Sequence, residues 1–279
     1  MKGLTGILFL LMMKTAVAQY YYKDIVLTAQ TTEKWKAFQK SKVSDVKLIS
    51  YETNGQPTEG FECNQTVARD FSSINTFTHG PANPISNLTA FYDTKGLLKK
   101  TIDTSDSYQS TTEYEYDANG YIASITNTSL ETDNHIKDSE KHEWKYNQNG
   151  TPVSMLKIKL DIDTTYIIFK TDEKGNIIEE SAIHNRQPLP TIYYYYNNDK
   201  MMTDIVRFNV KAQRLLPDYI FEYDANNRVS SMLVVTAGTS DYQKWLYQYN
   251  ENGLKSMEAC FNKKRELLGK VEYQYNYFR

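Results

Sequence analysis

The stretch YEYDANG, Tyr114 to Gly120, recurs in varied form as WKYNQNG at 144–150, FEYDANN at 221–227 and YQYNENG at 247–253. In Tyr-x-Tyr the two rings fall on one face of a strand, because side chains alternate between faces. The Asp or Asn that follows can accept a hydrogen bond from the backbone two residues on, and the Gly can adopt a left-handed conformation. The stretch therefore predicts a strand that ends in a hairpin turn.

The Asp or Asn that opens this turn marks a repeat along most of the chain. It occurs, at intervals of 24 to 30 residues, at Asp93, Asp117, Asn147, Asp172, Asn197, Asp224, Asn250 and Asn276. A unit of about 26 residues with two turns leaves roughly eight or nine residues for each strand, which is within the usual range. Eight such hairpins predict an antiparallel sheet of about sixteen strands.

The residues after the turn carry two further signals. Apolar residues stand two and five positions past the glycine, as at Ile122 and Ile125. A spacing of three predicts a β-bulge or burial on both faces, and the flanking Thr and Ser residues favour strand over helix. Asn227 and Lys200 replace the glycine in two copies. Asn tolerates positive φ, whereas Lys200 should cost on the order of 1 kcal/mol there.

The motif YEYDANGYIASI (114–125), with its relatives FEYDANNRVSSM (221–232) and YQYNENGLKSM (247–257), resembles the YD repeats of RHS-like proteins. The resemblance covers the chain from about residue 88 to the end. It implies successive β-hairpins, which in large RHS proteins spiral into a hollow shell around a toxic C-terminal domain. This chain is too short for such a shell, so we expect a short exported form without a toxin domain. The resemblance implies no catalytic residue.

We predict an all-β fold of tandem antiparallel hairpins that form a long twisted or curled sheet, with a short N-terminal helix. Residues 19–87 are expected to form an N-terminal capping region, and residues 88–279 the hairpin repeats. The helix is predicted over residues 31–42, where Trp35 and Phe38 share a face. Two prolines in the stretch 79–87 predict a loop.

The first eighteen residues predict a cleaved export signal. Lys2 is followed by an apolar run from Leu4 to Met13, and small residues at Ala16 and Ala18 suit a cleavage site. The protein is therefore expected in the periplasm, at the cell surface or outside the cell, without membrane insertion after cleavage. A net charge of −2 without a block of like charges disfavours nucleic acid and an anionic membrane as partners.

Two cysteines, Cys63 and Cys260, are the whole cysteine content. An exported protein can form a disulfide, but two cysteines do not make a disulfide framework. The ends of a flat sixteen-stranded sheet would lie roughly 75 Å apart, far beyond disulfide reach. Pairing of the two cysteines would therefore require the sheet to wrap, and whether they pair is left open.

The sequence offers little that predicts catalysis. It contains neither a nucleophile elbow nor a phosphate-binding glycine loop, and its histidines, His79, His135, His142 and His184, stand in polar surroundings and are predicted to be exposed. Asp161 and Asp163 are predicted on one face of a strand, where a carboxylate pair could serve a glycosidase, although a solvated face is the simpler interpretation. We predict no catalytic residue, no metal, no cofactor and no enzyme activity.

The aromatic stripe formed by the Tyr-x-Tyr pairs is the candidate binding site. It consists of Tyr114, Tyr116, Trp144, Tyr146, Tyr194, Tyr196, Tyr223, Tyr247 and Tyr249. A buried stripe would be core, whereas an exposed one would offer rings to a sugar or a protein.

We therefore predict an exported, non-catalytic binding or structural module for a protein or glycan partner. Two alternatives stay open. The first is a carbohydrate-active enzyme on a β scaffold, which would need two converging carboxylates in a pocket. The second is a toxin-neutralising partner protein, which the RHS resemblance suggests.

Overall fold

The computed structural model of the protein describes residues 20–81, 83–105, 108–131, 137–236 and 239–279. The predicted signal, residues 1–18, and His135 lie outside these ranges. The described ranges contain one helix and nineteen strands, with the bounds α1 Lys23–Ser41, β1 Val43–Tyr51, β2 Glu62–Val67, β3 Ser73–Gly80, β4 Asn83–Tyr92, β5 Leu98–Ser105, β6 Tyr108–Tyr116, β7 Ile122–Glu131, β8 Lys137–Tyr146, β9 Pro152–Lys159, β10 Asp163–Thr171, β11 Ile177–His184, β12 Gln187–Pro188, β13 Ile192–Tyr196, β14 Met202–Asn209, β15 Arg214–Tyr223, β16 Val229–Val235, β17 Tyr242–Tyr249, β18 Lys255–Asn262 and β19 Leu267–Tyr277.

The all-β prediction is confirmed, but the sheet is not open. β1 pairs antiparallel with both β2 and β19, so the first and last strands are neighbours and the sheet closes on itself. β12 and β13 both pair with β11 and together take one place, which gives eighteen places around the barrel. The long open sheet that we predicted is wrong in this respect, because closure depends on the accumulated curvature of all the strands and no single hairpin encodes it.

The hairpin turns confirm the turn chemistry read from the sequence. The turns that follow β4, β6, β8, β10, β13, β15 and β17 lie at the same end of the barrel, called the turn end below. The fourth residue of each turn adopts a left-handed conformation. Gly120 has φ +84°, and Asn227 and Lys200, which replace the glycine in two other turns, have φ +60° and +61°. Lys200 therefore retains the left-handed turn at a conformational cost rather than changing the turn type.

The expected β-bulge after each turn is also present. In the β6–β7 pair, Tyr116 faces Ile122 while Glu115 faces Ser124, which leaves Ala123 as the extra residue. The same shift occurs beside Tyr146, Tyr196 and Tyr249. One extra residue turns a spacing of three into one face, so Ile122 and Ile125 both reach the interior cluster.

The helix α1 crosses the inside of the barrel. Near its N-terminus Asp24 contacts His142 of β8, and near its C-terminus Phe38 packs on Tyr275 of β19. These strands lie on opposite sides of the ring, and a helix can contact both only from inside. A helix of 19 residues is about 28 Å long, which suits such a crossing. Trp35 donates to the carbonyl of Phe71 at the turn end (2.7 Å).

Two apolar clusters fill the turn-end half of the interior. One surrounds the N-terminal part of α1 and includes Trp144, Ile167 and Tyr194. The other surrounds its C-terminal part and includes Trp35, Phe38 and Val271. The helix and the inward-facing side chains therefore form the core together, so α1 belongs to the interior of the barrel and does not cover a sheet edge.

Two predictions about the N-terminal region are revised. The helix was predicted over 31–42 and begins at Lys23 instead, because its first turns contain apolar residues such as Ile25 that pack against the core. The stretch 79–87 is mostly strand, with β3 ending at Gly80 and β4 beginning at Asn83. The predicted domain boundary at residue 87 falls inside β4, and the division into domains stays a prediction.

No helix in the described part of the chain has the length and hydropathy needed to cross a membrane.

Candidate functional site

The Asp or Asn of each turn is occupied by the turn itself. The Oδ1 atom of Asp117 accepts hydrogen bonds from the backbone N–H groups of Asn119 and Tyr121, both at 2.9 Å. Asn197 does the same for Asp199 and Met201. An oxygen that satisfies two backbone donors closes the loop locally. These residues therefore shape the hairpin, as the sequence predicted.

The second tyrosine of each Tyr-x-Tyr pair links neighbouring hairpins. The hydroxyl of Tyr146 donates to the carbonyl of Ile122 (2.9 Å), and that of Tyr196 donates to the carbonyl of Ile177 (2.8 Å). Tyr116, Tyr223, Tyr249 and Tyr275 make the equivalent bond at 2.6 to 2.8 Å. The acceptor always lies two residues past the preceding turn, beside the bulge that disrupts the strand ladder. The repeated tyrosine thus supplies a donor where the ladder is interrupted.

All nine residues of the predicted stripe point into the barrel. Trp144 and Tyr194 are buried. The other seven are half-buried and share the inward face with buried neighbours, namely Tyr114, Tyr116, Tyr146, Tyr196, Tyr223, Tyr247 and Tyr249. Burial raises the pKa of Tyr114 and of Tyr223 to about 12. The rings serve as core in the described structure, and a role for them in ligand binding stays a prediction.

A charged cluster ties the start of α1 to the wall. His142 lies between Asp24 of α1 (Nδ1–Oδ2 2.5 Å) and Glu140 of β8 (Nε2–Oε1 3.0 Å), and Lys157 pairs with Glu140 at 2.7 Å. Burial alone would lower the pKa of His142, but its two carboxylate partners outweigh burial and raise it to about 9. The prediction that this histidine is exposed is wrong, because α1 brings Asp24 against it from 118 residues away.

Glu180 holds the beginning of the helix. This side chain is 2% exposed, and its two carboxylate oxygens accept the backbone N–H groups of Tyr21 and Tyr22 at 2.9 to 3.0 Å as well as the hydroxyl of Tyr194 at 2.7 Å. Burial raises its pKa, and these donors oppose the rise. The carboxylate is therefore committed to anchoring the first N–H groups of α1, which have no partner within the helix.

The carboxylate pair considered from the sequence does not form. Asp161 lies in the turn between β9 and β10 with φ +60°, and only Asp163 belongs to a strand. Asp163 faces His184 at 3.5 Å between Oδ1 and Nδ1. The two aspartates were predicted on one strand face, and the hairpin at 160–162 separates them instead. Within the described residues, no group of three or more His, Cys, Asp or Glu is arranged to hold a metal ion.

The two cysteines are free and buried although the sheet wraps. Cys63 lies on β2 and Cys260 on β18, with β19 and β1 between them. Three strand spacings are about 14 Å, which is still beyond the reach of a disulfide. Closure brings the two strands near each other without making them neighbours, so a wrapped sheet does not by itself allow the cysteines to pair.

The outer face of the barrel carries the feature that the sequence analysis missed. Eighteen large hydrophobic side chains are exposed among the described residues, and twelve of them fall between 153 and 215. Six outward-facing side chains on β9, β10, β11 and β13 form what we call the outer patch, namely Leu156, Tyr166, Ile168, Ile183, Tyr193 and Tyr195.

The residues of the outer patch lie side by side. Tyr166 stands directly between Leu156 and Ile183 on the neighbouring strands, and Ile168 follows two residues later on the same face. Tyr166, Ile183 and Tyr195 are each 47% exposed, and Ile168 is 38% exposed. Two ion pairs adjoin the patch: Lys170–Glu179 (2.6 Å), in which Glu179 faces Tyr193, and Lys141–Glu143 (2.7 Å), in which Glu143 faces Leu156. The residues of the patch on β9, β10 and β11 therefore form a contiguous apolar surface in contact with water, and polar side chains of β11 lie between them and the tyrosines of β13.

A sequence signal for the patch was present in the strands themselves. The segment from 166 to 169 reads YIIF, and that from 193 to 196 reads YYYY. Apolar or aromatic residues on both faces of a strand are typical of a strand that is covered on both sides. In the barrel Ile167 and Tyr194 face the core while Ile168 and Tyr195 face outward, so one side of these strands lacks the cover that the pattern predicts.

The outer face of β5–β8 is polar by comparison. Its outward positions include Lys100 and Glu113, which face each other across β5 and β6 at 3.5 Å, and Lys141 and Glu143 at 2.7 Å. Glu115 accepts a hydrogen bond from Ser124 at 2.7 Å. We call this surface the polar wall. Its side chains are satisfied by one another and by water, as on an ordinary soluble surface.

No protein-family model and no curated protein matches the chain. Among solved structures, it is similar to a porin-like protein from Bacteroides uniformis, with 9% identity over 85% of this chain and 97% of that one and a TM-score of 0.44. A porin-like protein from Bacteroides vulgatus has 12% identity, 85% and 99% coverage and a TM-score of 0.30.

The Tc holotoxin pore structure from Photorhabdus luminescens has 8% identity, covers 77% of this chain and 16% of that chain, and gives a TM-score of 0.31. The chain thus corresponds to a small part of that protein. The YD-repeat resemblance stays a prediction.

Proposed function

We propose that this chain is an exported, non-catalytic binding module that presents the outer patch to a protein partner. The observation that carries the proposal is the concentration of exposed apolar side chains on one side of the barrel, around Tyr166 and Ile183. Contiguous exposed apolar surface is unfavourable in water and marks interaction sites on soluble proteins. The polar wall supplies the internal contrast, because the same fold there exposes charges.

The chemistry of the outer patch favours a protein over a glycan. Leu156, Ile168 and Ile183 are aliphatic and offer neither a ring face nor a hydrogen bond to a sugar. Tyr166, Tyr193 and Tyr195 add flat rings with polar tips, a combination that is enriched at protein interfaces. The Lys170–Glu179 pair lies beside Tyr193 and adds charged groups to this surface.

The polar wall supports a position outside the bilayer. A transmembrane barrel needs an outward apolar band about 25 Å tall around its circumference. Lys141, Glu143 and Lys145 project from the outer face of β8, and Glu113 and Glu115 project from β6. Charges of this density on one side of the barrel would be costly in lipid. This supports an exported protein that is not inserted in a membrane.

The interior supports a non-catalytic role. A general acid needs a carboxyl whose pKa is raised and whose proton is free to move. Glu180 has a raised pKa, but both of its oxygens are occupied by Tyr21, Tyr22 and Tyr194. Glu140 has its pKa lowered to about 2, since hydrogen bonds from His142 and Lys157 outweigh burial. The buried carboxylates near α1 thus have structural partners.

A pull-down from the native cell envelope tests the proposal. The bait is the purified protein, compared with Ile183→Glu on the outer patch and with Thr111→Glu, the matched control on the outer face of β6. Circular dichroism and thermal melting verify that all three are folded. We expect one partner to be captured by the wild type and by Thr111→Glu and lost with Ile183→Glu. Equal capture by all three would reject the outer patch as the binding surface.

A further inference from the structure

Three hairpin loops follow each other around the end of the barrel opposite to the turn end. They are residues 160–162 between β9 and β10, residues 185–186 between β11 and β12, and residues 210–213 between β14 and β15. β12 and β13 share one place in the ring, so each loop is two strand positions from the next. This spacing is about 10 Å. We call the three loops the rim.

The rim exposes apolar side chains at its tips. Ile162 is 83% exposed and Val210 is 73% exposed, which are the two largest values among the exposed large hydrophobic side chains of the described residues. Leu160 is 48% exposed beside Ile162. Below Val210, Phe208 and Leu215 face each other across β14 and β15 and are 49% and 41% exposed. Two apolar tips therefore project beyond the wall on either side of the middle loop.

The same loops carry cations that have no partner among the described residues. Arg186 lies in the middle loop, and Lys211 and Arg214 lie at the third, all three exposed. Asp161 is the acidic residue at the tips. The other charges nearby are turned toward the interior, where Lys159 pairs with Asp138 at 3.4 Å and Asp163 faces His184. Arg214 pairs with Asn209 at the end of the β14–β15 ladder, on the face opposite to Phe208 and Leu215. The outward surface of the rim therefore carries two cations, Arg186 and Lys211, against the one carboxylate of Asp161.

The backbone of the rim is held in an unfavourable conformation. Leu160 and Asp161 have φ +51° and +60°, and Asn185 and Arg186 have φ +48° and +63°. Two consecutive residues with positive φ match the tight two-residue hairpin turn for which Asn and Gly are preferred. Leucine and arginine are costly there, and such strain is concentrated at functional sites. One apolar residue, Leu160, and one basic residue, Arg186, are therefore held in the rim at a conformational cost.

We propose that the rim docks the protein onto the surface of an anionic lipid bilayer. Apolar tips that enter the headgroup region, flanked by Lys and Arg that meet acidic headgroups, are the two contributions that hold a protein on a membrane surface without crossing it. The sequence argued against an anionic membrane, because its cations are not clustered. The succession of hairpins around the barrel brings Arg186 and Lys211, which lie in different loops, to the same end.

The rim and the outer patch are different surfaces with different occupants. The rim lies at the end of the barrel, whereas the outer patch lies on its side around Tyr166 and Ile183. A barrel that stands with its rim on a membrane holds the side patch perpendicular to the bilayer plane and free for a protein. The lipid proposal therefore does not depend on the protein partner and can fail or succeed separately.

Sedimentation with lipid vesicles tests the rim. The protein purified from its native cells is mixed with vesicles of phosphatidylcholine containing 30% phosphatidylglycerol, and with vesicles of phosphatidylcholine alone. We expect binding to the acidic vesicles, at least tenfold weaker binding to the neutral ones, and a decrease as salt is raised. Arg186→Glu with Lys211→Glu should weaken binding to the acidic vesicles at least tenfold, and Ile162→Ser with Val210→Ser should weaken it similarly.

The matched control reverses two exposed lysines elsewhere on the outer surface, Lys47→Glu on β1 and Lys145→Glu on β8. It changes the net charge by the same amount and should leave vesicle binding unchanged. Equal loss in the control, or no sedimentation of the wild type with acidic vesicles, would overturn the proposal. The proposal would also be overturned if the protein did not bind vesicles and instead formed a dimer, seen by analytical ultracentrifugation, that Ile162→Ser with Val210→Ser dissociates. Ile168→Glu, which lies on the outer patch but farther from the rim loops than Ile183 does, should retain vesicle binding and separates this test from that of the protein partner.

Discussion

The polar wall on β5–β8 and the outer patch on β9–β13 are built from the same type of hairpin, but they expose different side chains to water. On the polar wall, outward positions hold Lys100, Glu113 and Lys141 in ion pairs. On the outer patch they hold Tyr166 and Ile183, which are 47% exposed and have no cover. The difference shows that the fold does not require apolar residues on its outer surface, and it is the reason why we propose an interaction surface on one side.

Adjacent residues on a strand of the outer patch point to opposite faces, so one strand allows a buried and an uncovered side chain to be compared. Ile167 is 0% exposed and Ile168 is 38% exposed. We expect Ile167→Ala to reduce the free energy of unfolding by about 2–5 kcal/mol through loss of buried contacts and the cavity it leaves. Ile168→Ala should cost about 1 kcal/mol or less. Urea unfolding of the two variants measures both values, and similar costs would contradict the assignment of Ile168 to an uncovered face.

Two turns that share a backbone conformation isolate the contribution of α1. Gly96 and Gly120 have φ +80° and +84°, so alanine is strained equally in both. A Cβ at Gly120 would meet nothing within 4 Å, whereas a Cβ at Gly96 would overlap the buried ring of Trp35. We expect Gly120→Ala to cost about 1 kcal/mol and Gly96→Ala to cost about 1–3 kcal/mol more. Equal thermal shifts would show that Trp35 does not pack against this turn.

The inner face of β8, behind the polar wall, makes the stability of the fold depend on pH, which the outer patch does not. The two carboxylate partners of His142 outweigh burial and raise its pKa above the ordinary value to about 9. The stabilisation of the fold by protonated His142 is therefore fully present below about pH 6.5 and is lost as pH rises through 9. For Glu140, whose pKa is lowered to about 2, stabilisation is present above about pH 4.5 and is lost toward pH 2.

Thermal melting between pH 4.5 and 9 measures this dependence. We expect the melting temperature to hold up to about pH 6.5 and to fall toward pH 9. His142→Gln should be less stable at pH 6 and should show a shallower fall, since it cannot lose a proton. A fall of the same steepness in His142→Gln would place the titrating group elsewhere.

Local chemistry made the hairpin predictable from the sequence. The turn from Asp117 to Gly120 depends on one side-chain oxygen and one left-handed residue, both of which are recognisable in a stretch of seven residues. The bulge followed from the spacing of Ile122 and Ile125. These features were correct because every interaction involved lies within about ten residues.

Long-range contacts explain what the sequence could not predict. Closure requires β1 to pair with β19, more than 200 residues away, as in the pair Leu48 and Tyr273. His142 is buried because Asp24 comes from a helix at the start of the chain. Which way the candidate stripe faces could not be predicted for the same reason. The spacing of Tyr114 and Tyr116 shows that they share a face, but only the closed barrel makes that face the inside.

In vivo photo-crosslinking tests the central claim, that the outer patch is the interaction surface, most directly. A photo-reactive phenylalanine analogue replaces Tyr166 in one strain and Thr111, on the outer face of β6, in another. The account predicts a discrete covalent adduct with a protein from position 166 and none from position 111. Adducts of equal yield from both positions, or an adduct from position 111 alone, would contradict it.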